Sequence, residues 1–288
     1  MIDPPETQDS AMLADWAEMS LLFGDLQSIS KSEFSVALEE DMKPNADDIV
    51  TTIWQEIFWR KSVSPKSYPI DVFEGYIERR TGWKRAICYS FLTLLSAQSF
   101  IPEIKIRPGQ WTSTSKMFEK VTELALQTYV GETIVTGSPR QEGVPASFDA
   151  CLGYLCGKLG EDKRAKPCST EHTKDDGLDV IAWKPLDGRS GKLIVLTQCA
   201  AGADWRNKTK ELSTNVWDEY VEWPLTPLRA FAFPYINNKD WRRLSLEGGL
   251  LLDRLRLSLL CERRLRGRFR HELERWIEGK IDSLPVTD

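Results

Sequence analysis

The sequence predicts an α/β protein, a mixed β-sheet flanked by helices and preceded by a helical lobe. Three observations carry this. Residues up to about Pro108 place apolar side chains at helical spacing; from Trp111 onward, strand-length apolar runs alternate with helical stretches; and the runs LDVIAWKP and GKLIVLTQCA flank LDGRSG, where Asp187-Gly188 and Gly191 signal a hairpin. At 288 residues, 41% hydrophobic and 28% charged, the chain is long enough for one large domain or two modest ones and can bury a core.

The division expected is an acidic helical lobe over residues 1–110, regulatory or for assembly, and a second domain over 111–288 that ends in a basic helix. In the lobe, SAMLADWAEMSLLFGDLQSI, ADDIVTTIWQEIFWRK, IDVFEGYIERRTG and WKRAICYSFLTLLSAQ read as helices. Asp47 is a candidate cap of the second, and Ser64-Pro65 to Pro69 is a break. The aromatics Trp54, Phe58, Trp59 and Phe73 are expected in the core, a partner-docking face being the alternative.

In the second domain, STSKMFEKVTELALQTYVG reads as a helix ended by Gly131, GETIVTG as a short strand and GSPRQEG as a loop. SFDACLGYLCGKLGE is a helix carrying Cys151 and Cys156. After the hairpin, DWRNKTKELSTNVWDEYVE reads as a helix, PLRAFAFPYI as a strand, and LEGGLLLDRLRLSLLCERRLRGRFRHELERWIEGKI as one long basic helix or a pair.

Charge and cysteine narrow the function classes. The net charge is −5, yet residues 1–50 hold twelve acids against two bases, and Arg254 to Arg270 holds seven arginines against one acid, Glu262. Such an arginine run is either a solvated helix face or a phosphate-tracking surface, with Arg263 and Arg266 as the candidates for nucleic-acid contact. The six cysteines lack the dense spacing of a disulfide scaffold, so reduced thiols are expected. Cys151, Cys156, Cys168 and His172 have loosely zinc-like spacing, but i and i+5 positions of a helix diverge by about 140°, which favours buried thiols. MIDPPETQDS is acidic and polar where a secretory leader needs basic and then apolar residues. The most apolar window, 86–101, is broken by polar residues and falls short of the roughly 18 apolar residues of a membrane span. A cytoplasmic protein without membrane association is expected. There is no GxGxxG, P-loop or GxSxG, and two histidines give a His-based triad or zinc hydrolase little to draw on.

Hydrolysis of a phosphodiester calls for a divalent metal, held by one or two carboxylates, and a nearby cation for the developing charge. Asp179 opens LDVIAW and Gln198 closes LIVLTQ on the partner strand, so a hairpin turning at 187–191 brings both to one end, with the main-chain carbonyl of Cys199 as a third oxygen. Asp176 competes with Asp179 but precedes Gly177 and fits a loop better.

DDGLDVIAWKPLDGRSGKLIVLTQCAAGADWRNK resembles the core of the PD-(D/E)xK endonuclease superfamily, in particular its Mrr-like restriction-endonuclease branch, where Gln stands in place of the second acid. MFEKVTELAL, with Glu119 after Phe118, is similar to the preceding helix whose glutamate completes the metal site; Glu123 is the alternative. The resemblance covers about residues 111–250 and implies a restriction-endonuclease-like fold binding Mg²⁺ or Mn²⁺ and acting on DNA, with Asp179, Gln198, Cys199 and Glu119 at the metal. The family's lysine position, two residues after Gln198, is Ala200. In some members the catalytic lysine stands on the next helix, which implies Lys208, then Lys210, then Arg206; Arg206 and Lys210 are also candidates for nucleic-acid contact. The resemblance further implies a role in prokaryotic restriction or antiphage defence, with a partner subunit docked through the N-terminal lobe or a larger or homo-oligomeric assembly. If no lysine reaches the acids, the domain is a binding-only descendant or a scaffold subunit.

Overall fold

The computed structural model describes residues 1–40, 45–164 and 176–285. In chain order the elements begin with α1 (Ser10–Phe23), β1 (Ser28–Ser30), α2 (Lys31–Glu40), α3 (Ala46–Val63), β2 (Ile70–Val72), β3 (Tyr76–Arg79) and α4 (Ile87–Ala97). They continue with α5 (Trp111–Tyr129), β4 (Glu132–Val135), α6 (Phe148–Leu159), β5 (Asp162–Lys163), β6 (Val180–Trp183) and β7 (Ile194–Cys199). The last are α7 (Thr214–Tyr220), β8 (Val221–Glu222), β9 (Leu228–Ala232), α8 (Trp241–Gly248), β10 (Leu250–Leu252), α9 (Arg254–Cys261) and α10 (Gly267–Ile281). The chain divides into two compact units, the first taking in 1–111, 234–237 and 254–288, the second 112–233 and 238–253.

The first unit is organised by a buried cluster of charges. Asp9 caps α1, accepting from the amides of Ala11 (2.9 Å) and Met12 (3.1 Å). The helix then carries Asp15 and Glu18 inward among Leu13, Trp16 and Met19. Buried carboxylates need paired cations and donated hydrogen bonds. Arg60 of α3 donates to Asp15 at 2.6 Å, to Glu18 at 2.8 Å and to Glu56 at 3.1 Å. Arg254 of α9 forks onto both oxygens of Asp15 at 2.8 and 2.7 Å, while the Tyr68 and Tyr89 hydroxyls donate to Glu18. Burial alone would raise the Asp15 carboxyl, but Arg254 and Arg60 outweigh it and hold it below its ordinary value.

This cluster corrects two expectations. Arg254, read as the start of an exposed basic run, is 0% exposed, and its pairing with α1 explains why 254–288 belongs to the first unit and not to the domain begun at residue 111. IDVFEGYIERRTG is not a helix. It forms the β2–β3 hairpin, joined by β1 in the order β1-β3-β2, because Ile70 and Ile77 are buried on one face and the turn closes through Phe73 N–H to Tyr76 O at 2.9 Å. Of the four aromatics expected in the core, Trp54 is buried, whereas Phe58 (64%) and Phe73 (42%) are exposed and Trp59 is half-buried.

The second unit is built on a mixed five-stranded sheet in the order β10-β9-β7-β6-β4, which gives it the expected α/β class. The expected hairpin is present: β6 and β7 are antiparallel with Val180 opposite Thr197 and Trp183 opposite Ile194, and Lys184 N–H to Leu193 O (2.9 Å) extends the ladder. β4 runs antiparallel to β6; β9 runs parallel to β7, and β10 parallel to β9. On one face, Ile181, Trp183, Ile194 and Leu196 pack on Leu152 and Leu155 of α6 and Trp217 and Tyr220 of α7. Two expectations fail here. The helix read across 204–222 is a short 3-10 turn at Trp205–Lys208 followed by α7, because Leu212 is pulled into the core with its amide on Gln198. GGLLL is not helical either: Gly249, at φ +79°, stops α8, and an added Cβ there would collide with the Arg229 carbonyl, so β10 follows.

Removing one partner of a buried ion cluster leaves an uncompensated charge, which costs about 3–5 kcal/mol. Arg254→Ala should lower stability by that order in urea denaturation. The contribution of Asp15 is fully present above the unfolded carboxyl value of about 3.9 and is lost as pH falls through its lowered folded value.

Candidate active site

Two segments of the second unit, α5 and the residue before β6, deliver charged side chains to one point beside the end of β7. Asp179 precedes β6 and lies in the ladder, its amide donating to Thr197 O at 3.0 Å and its carbonyl accepting from Thr136 at 2.8 Å and Gly137 at 3.2 Å. Its carboxylate accepts from the Cys199 amide at 2.7 Å, which ties it to the end of β7. Glu119 projects from α5 and is 6% exposed. Gly137, in the loop after β4, lies between them. A Cβ built there would stand 2.8 Å from both oxygens of Glu119 and 2.9 Å from Oδ1 of Asp179. The two carboxylates therefore face each other across the space of one missing methyl group. Gly137 does not have a positive φ, so the requirement for glycine here is one of room, not of backbone conformation.

A cation completes the group. Lys116, one turn before Glu119 on α5, donates to both Glu119 oxygens (3.0 and 2.7 Å) and to the Gly137 carbonyl at 2.6 Å. Cys199 presents its thiol beside Thr122 of α5; burial first, then the Asp179 and Glu119 carboxylates, push that thiol well above its ordinary pKa, so it stays protonated at neutral pH.

The structure thus brings Asp179 and Glu119 together with the amide and thiol of Cys199, not the carbonyl expected of it, and adds Lys116 and Gly137. It does not bring Gln198 with them. Strand alternation turns Gln198 to the face of Leu196, where its amide oxygen accepts from Leu212 N–H (3.3 Å) and its amide nitrogen donates to Glu211 at 2.6 Å. Lys208 lies 3.9 Å from Asp204 Oδ2, within ion-pair distance of neither acid. Lys210 pairs with Glu247 at 3.5 Å, and Arg206 pairs with Asp240 at 3.1 Å while lying over the Trp205 ring. Ala200 is 1% exposed, its amide donating to Ala232 O. Arg263 and Arg266 belong to the first unit. Of the alternatives left open by the sequence, Asp176 accepts from the Tyr220 hydroxyl, and Glu123 contacts Lys120 and Thr133.

Two carboxylates facing one another suit a hard divalent cation that keeps several of its own waters. Among the described residues no group of three or more His, Cys, Asp or Glu side chains could hold a metal, so a site closed by protein ligands alone is not what the residues offer. Zinc at Cys151, Cys156, Cys168 and His172 finds no support in the described part: Cys151 and Cys156 pack in the apolar cluster under the sheet, and burial pushes the Cys156 thiol up to about 11. Cys168 and His172 lie outside the described residues.

Lys116 escapes notice in the sequence because K-x-x-E is an everyday surface pair of helices, and Gly137 because GSPRQEG reads as a loop. No protein family matches the chain, and neither does any curated protein or solved structure.

Gly137→Ala should displace both carboxylates while leaving stability within about 1 kcal/mol, since the colliding atoms are ends of flexible side chains. Titration calorimetry with Mn²⁺ should show affinity lowered about tenfold or more, with thermal unfolding little changed.

Proposed function

We propose that the second unit is a metal-dependent nuclease that hydrolyses phosphodiester bonds of DNA. The observation that carries the reading is the convergence of Glu119, Asp179 and Lys116 on the space kept open by Gly137. The mixed α/β architecture is compatible with the restriction-endonuclease-like core implied by the sequence resemblance, and the position of Asp179 beside the β6–β7 hairpin supports the reading.

Asp179 and Glu119 hold the cation, Mg²⁺ or Mn²⁺, with Asp179 kept in place by the Cys199 amide. The bound cation supplies Lewis-acid polarisation of a phosphoryl oxygen and a water of lowered pKa. Lys116 supplies the ammonium that the position of Ala200 lacks: it is half-buried, its charge is fixed beside Glu119, and it stabilises negative charge developing on the phosphoryl group. Gln198 positions the segment after the 3-10 turn by holding Leu212 and Glu211 and does not act as a ligand. A prokaryotic defence or restriction role, and a partner subunit at the first unit, remain implications of the resemblance.

One observation favours a second reading, a degenerate nuclease fold that binds without cleaving. Lys116 contacts both oxygens of Glu119, and an ammonium so placed neutralises one of the two acids a metal would use.

Cleavage of supercoiled plasmid in Mg²⁺ or Mn²⁺ separates the two. The nuclease reading expects cleavage that is abolished by EDTA and by Asp179→Asn, reduced about 10²–10³-fold by Lys116→Met, and nearly unchanged in Lys208→Ala. The binding reading expects no cleavage in either metal and DNA affinity unaffected by Asp179→Asn.

A further inference from the structure

The first unit holds a cavity of about 280 Å³ that plays no part in the proposed chemistry. Its floor is the Tyr89 ring with Ala86 and Leu259, and its walls carry Lys66, Arg80, Arg85 and Arg263 together with the hydroxyl residues Ser67, Thr81 and Ser258. The single acid in the lining is Glu262.

Four cations around one cavity repel one another unless something compensates them. The surrounding structure compensates little. Arg80 spends its guanidinium on the carbonyls of Pro65 (2.8 Å) and Lys66 (2.9 Å), which fixes the 65–67 loop at the rim and leaves the positive charge unneutralised. Among the described residues, Lys66, Arg85 and Arg263 pair with no carboxylate. Glu262 is committed elsewhere, accepting the Cys88 amide at 3.0 Å in the first turn of α4. That amide of the first turn of α4 is thereby already taken, and the cavity's attraction for an anion rests on its side chains. Burial pushes the Glu262 carboxyl up from its ordinary value, against the Cys88 amide hydrogen bond that it accepts.

We propose that this cavity binds a compact phosphorylated small molecule, its phosphoryl oxygens taken by Arg85, Arg263 and Lys66 and its organic part resting on Tyr89, Ala86 and Leu259. Guanidinium groups match the several oxygens of a phosphate better than the two of a carboxylate, because each arginine can offer two parallel N–H donors. The volume lies just below the roughly 300–1,000 Å³ typical of small-molecule sites, which suits a diphosphate-sized anion better than a nucleic-acid backbone running past. Tyr89 links the floor of the cavity to the buried charge cluster, since its hydroxyl donates to Glu18 at 2.6 Å while its ring lines the site. A ligand there is therefore placed to stabilise the core of the first unit.

The test is titration calorimetry of the full chain with inorganic pyrophosphate, in excess EDTA and at constant ionic strength, so that the acids of the second unit hold no metal. Expected is saturable binding at one site per chain, weakened about tenfold or more in Arg85→Ala/Arg263→Ala, intermediate in Arg85→Lys, and unchanged in Asp179→Asn. Thermal unfolding of the unliganded double variant should match wild type, since both side chains are exposed, and the pyrophosphate-induced rise in melting temperature should disappear in it. Absence of saturation in the wild type, or equal affinity in the double variant, overturns the proposal. So does binding of a short DNA duplex that depends on Arg85 and Arg263 and that pyrophosphate cannot displace, which would make the cavity part of a nucleic-acid contact.

Discussion

Two carboxylates and an ammonium share the space that Gly137 leaves by having no side chain, and the candidate site follows from that crowding. Two like charges 4 Å apart in a medium of intermediate polarity repel by about 4 kcal/mol. An arrangement that brings Glu119 and Asp179 together therefore needs positive charge between or beside them. Lys116 provides part of it, from the same helix face as Glu119, and the Cys199 amide fixes Asp179 from the opposite side. The end of β7 places that amide where it is needed: the strand runs past Thr197 to Cys199, and the Asp179 amide on Thr197 O holds the carboxylate beside it.

The first unit applies the same electrostatic logic to stability. Asp15, Glu18, Glu56, Arg60 and Arg254 are buried, and each charge is matched by an opposite charge or a donated hydrogen bond. Because Arg254 comes from α9, this cluster joins the last part of the chain to the first helix, residues more than two hundred positions apart. The tyrosines that donate to Glu18 also bridge outward, Tyr89 serving both the cluster and the cavity above it.

What the sequence made legible was the strand content of the second unit and two of its acids. The hairpin, β4 and β9 fall where apolar runs and turn residues placed them, and Asp179 and Glu119 meet as expected. The misses have physical causes. Gln198 was paired with Asp179 by its position at a strand end, but the Asp179 amide bonds Thr197 O, the residue Val180 already faces, so Asp179 leaves the regular register and turns to the Cys199 amide while Gln198 keeps the face of Leu196 and reaches Glu211 and Leu212. Arg254 looked like the head of a solvated basic run, since sequence does not reveal that Asp15 waits for it in the core. β2, β3 and β10 were read as helix because short apolar runs fit either period, and only tertiary pairing decides. Lys116 and Gly137 carry no local signal: their importance lies in what folds against them.

The most direct test of the central claim is an anomalous difference map from crystals of the protein soaked in Mn²⁺. The account predicts one peak between Glu119 and Asp179, about 2.1 Å from an oxygen of each, with Lys116 drawn off at least one of the Glu119 oxygens it now contacts. A map with no peak beside Gly137, and Lys116 still across both oxygens of Glu119, would contradict it.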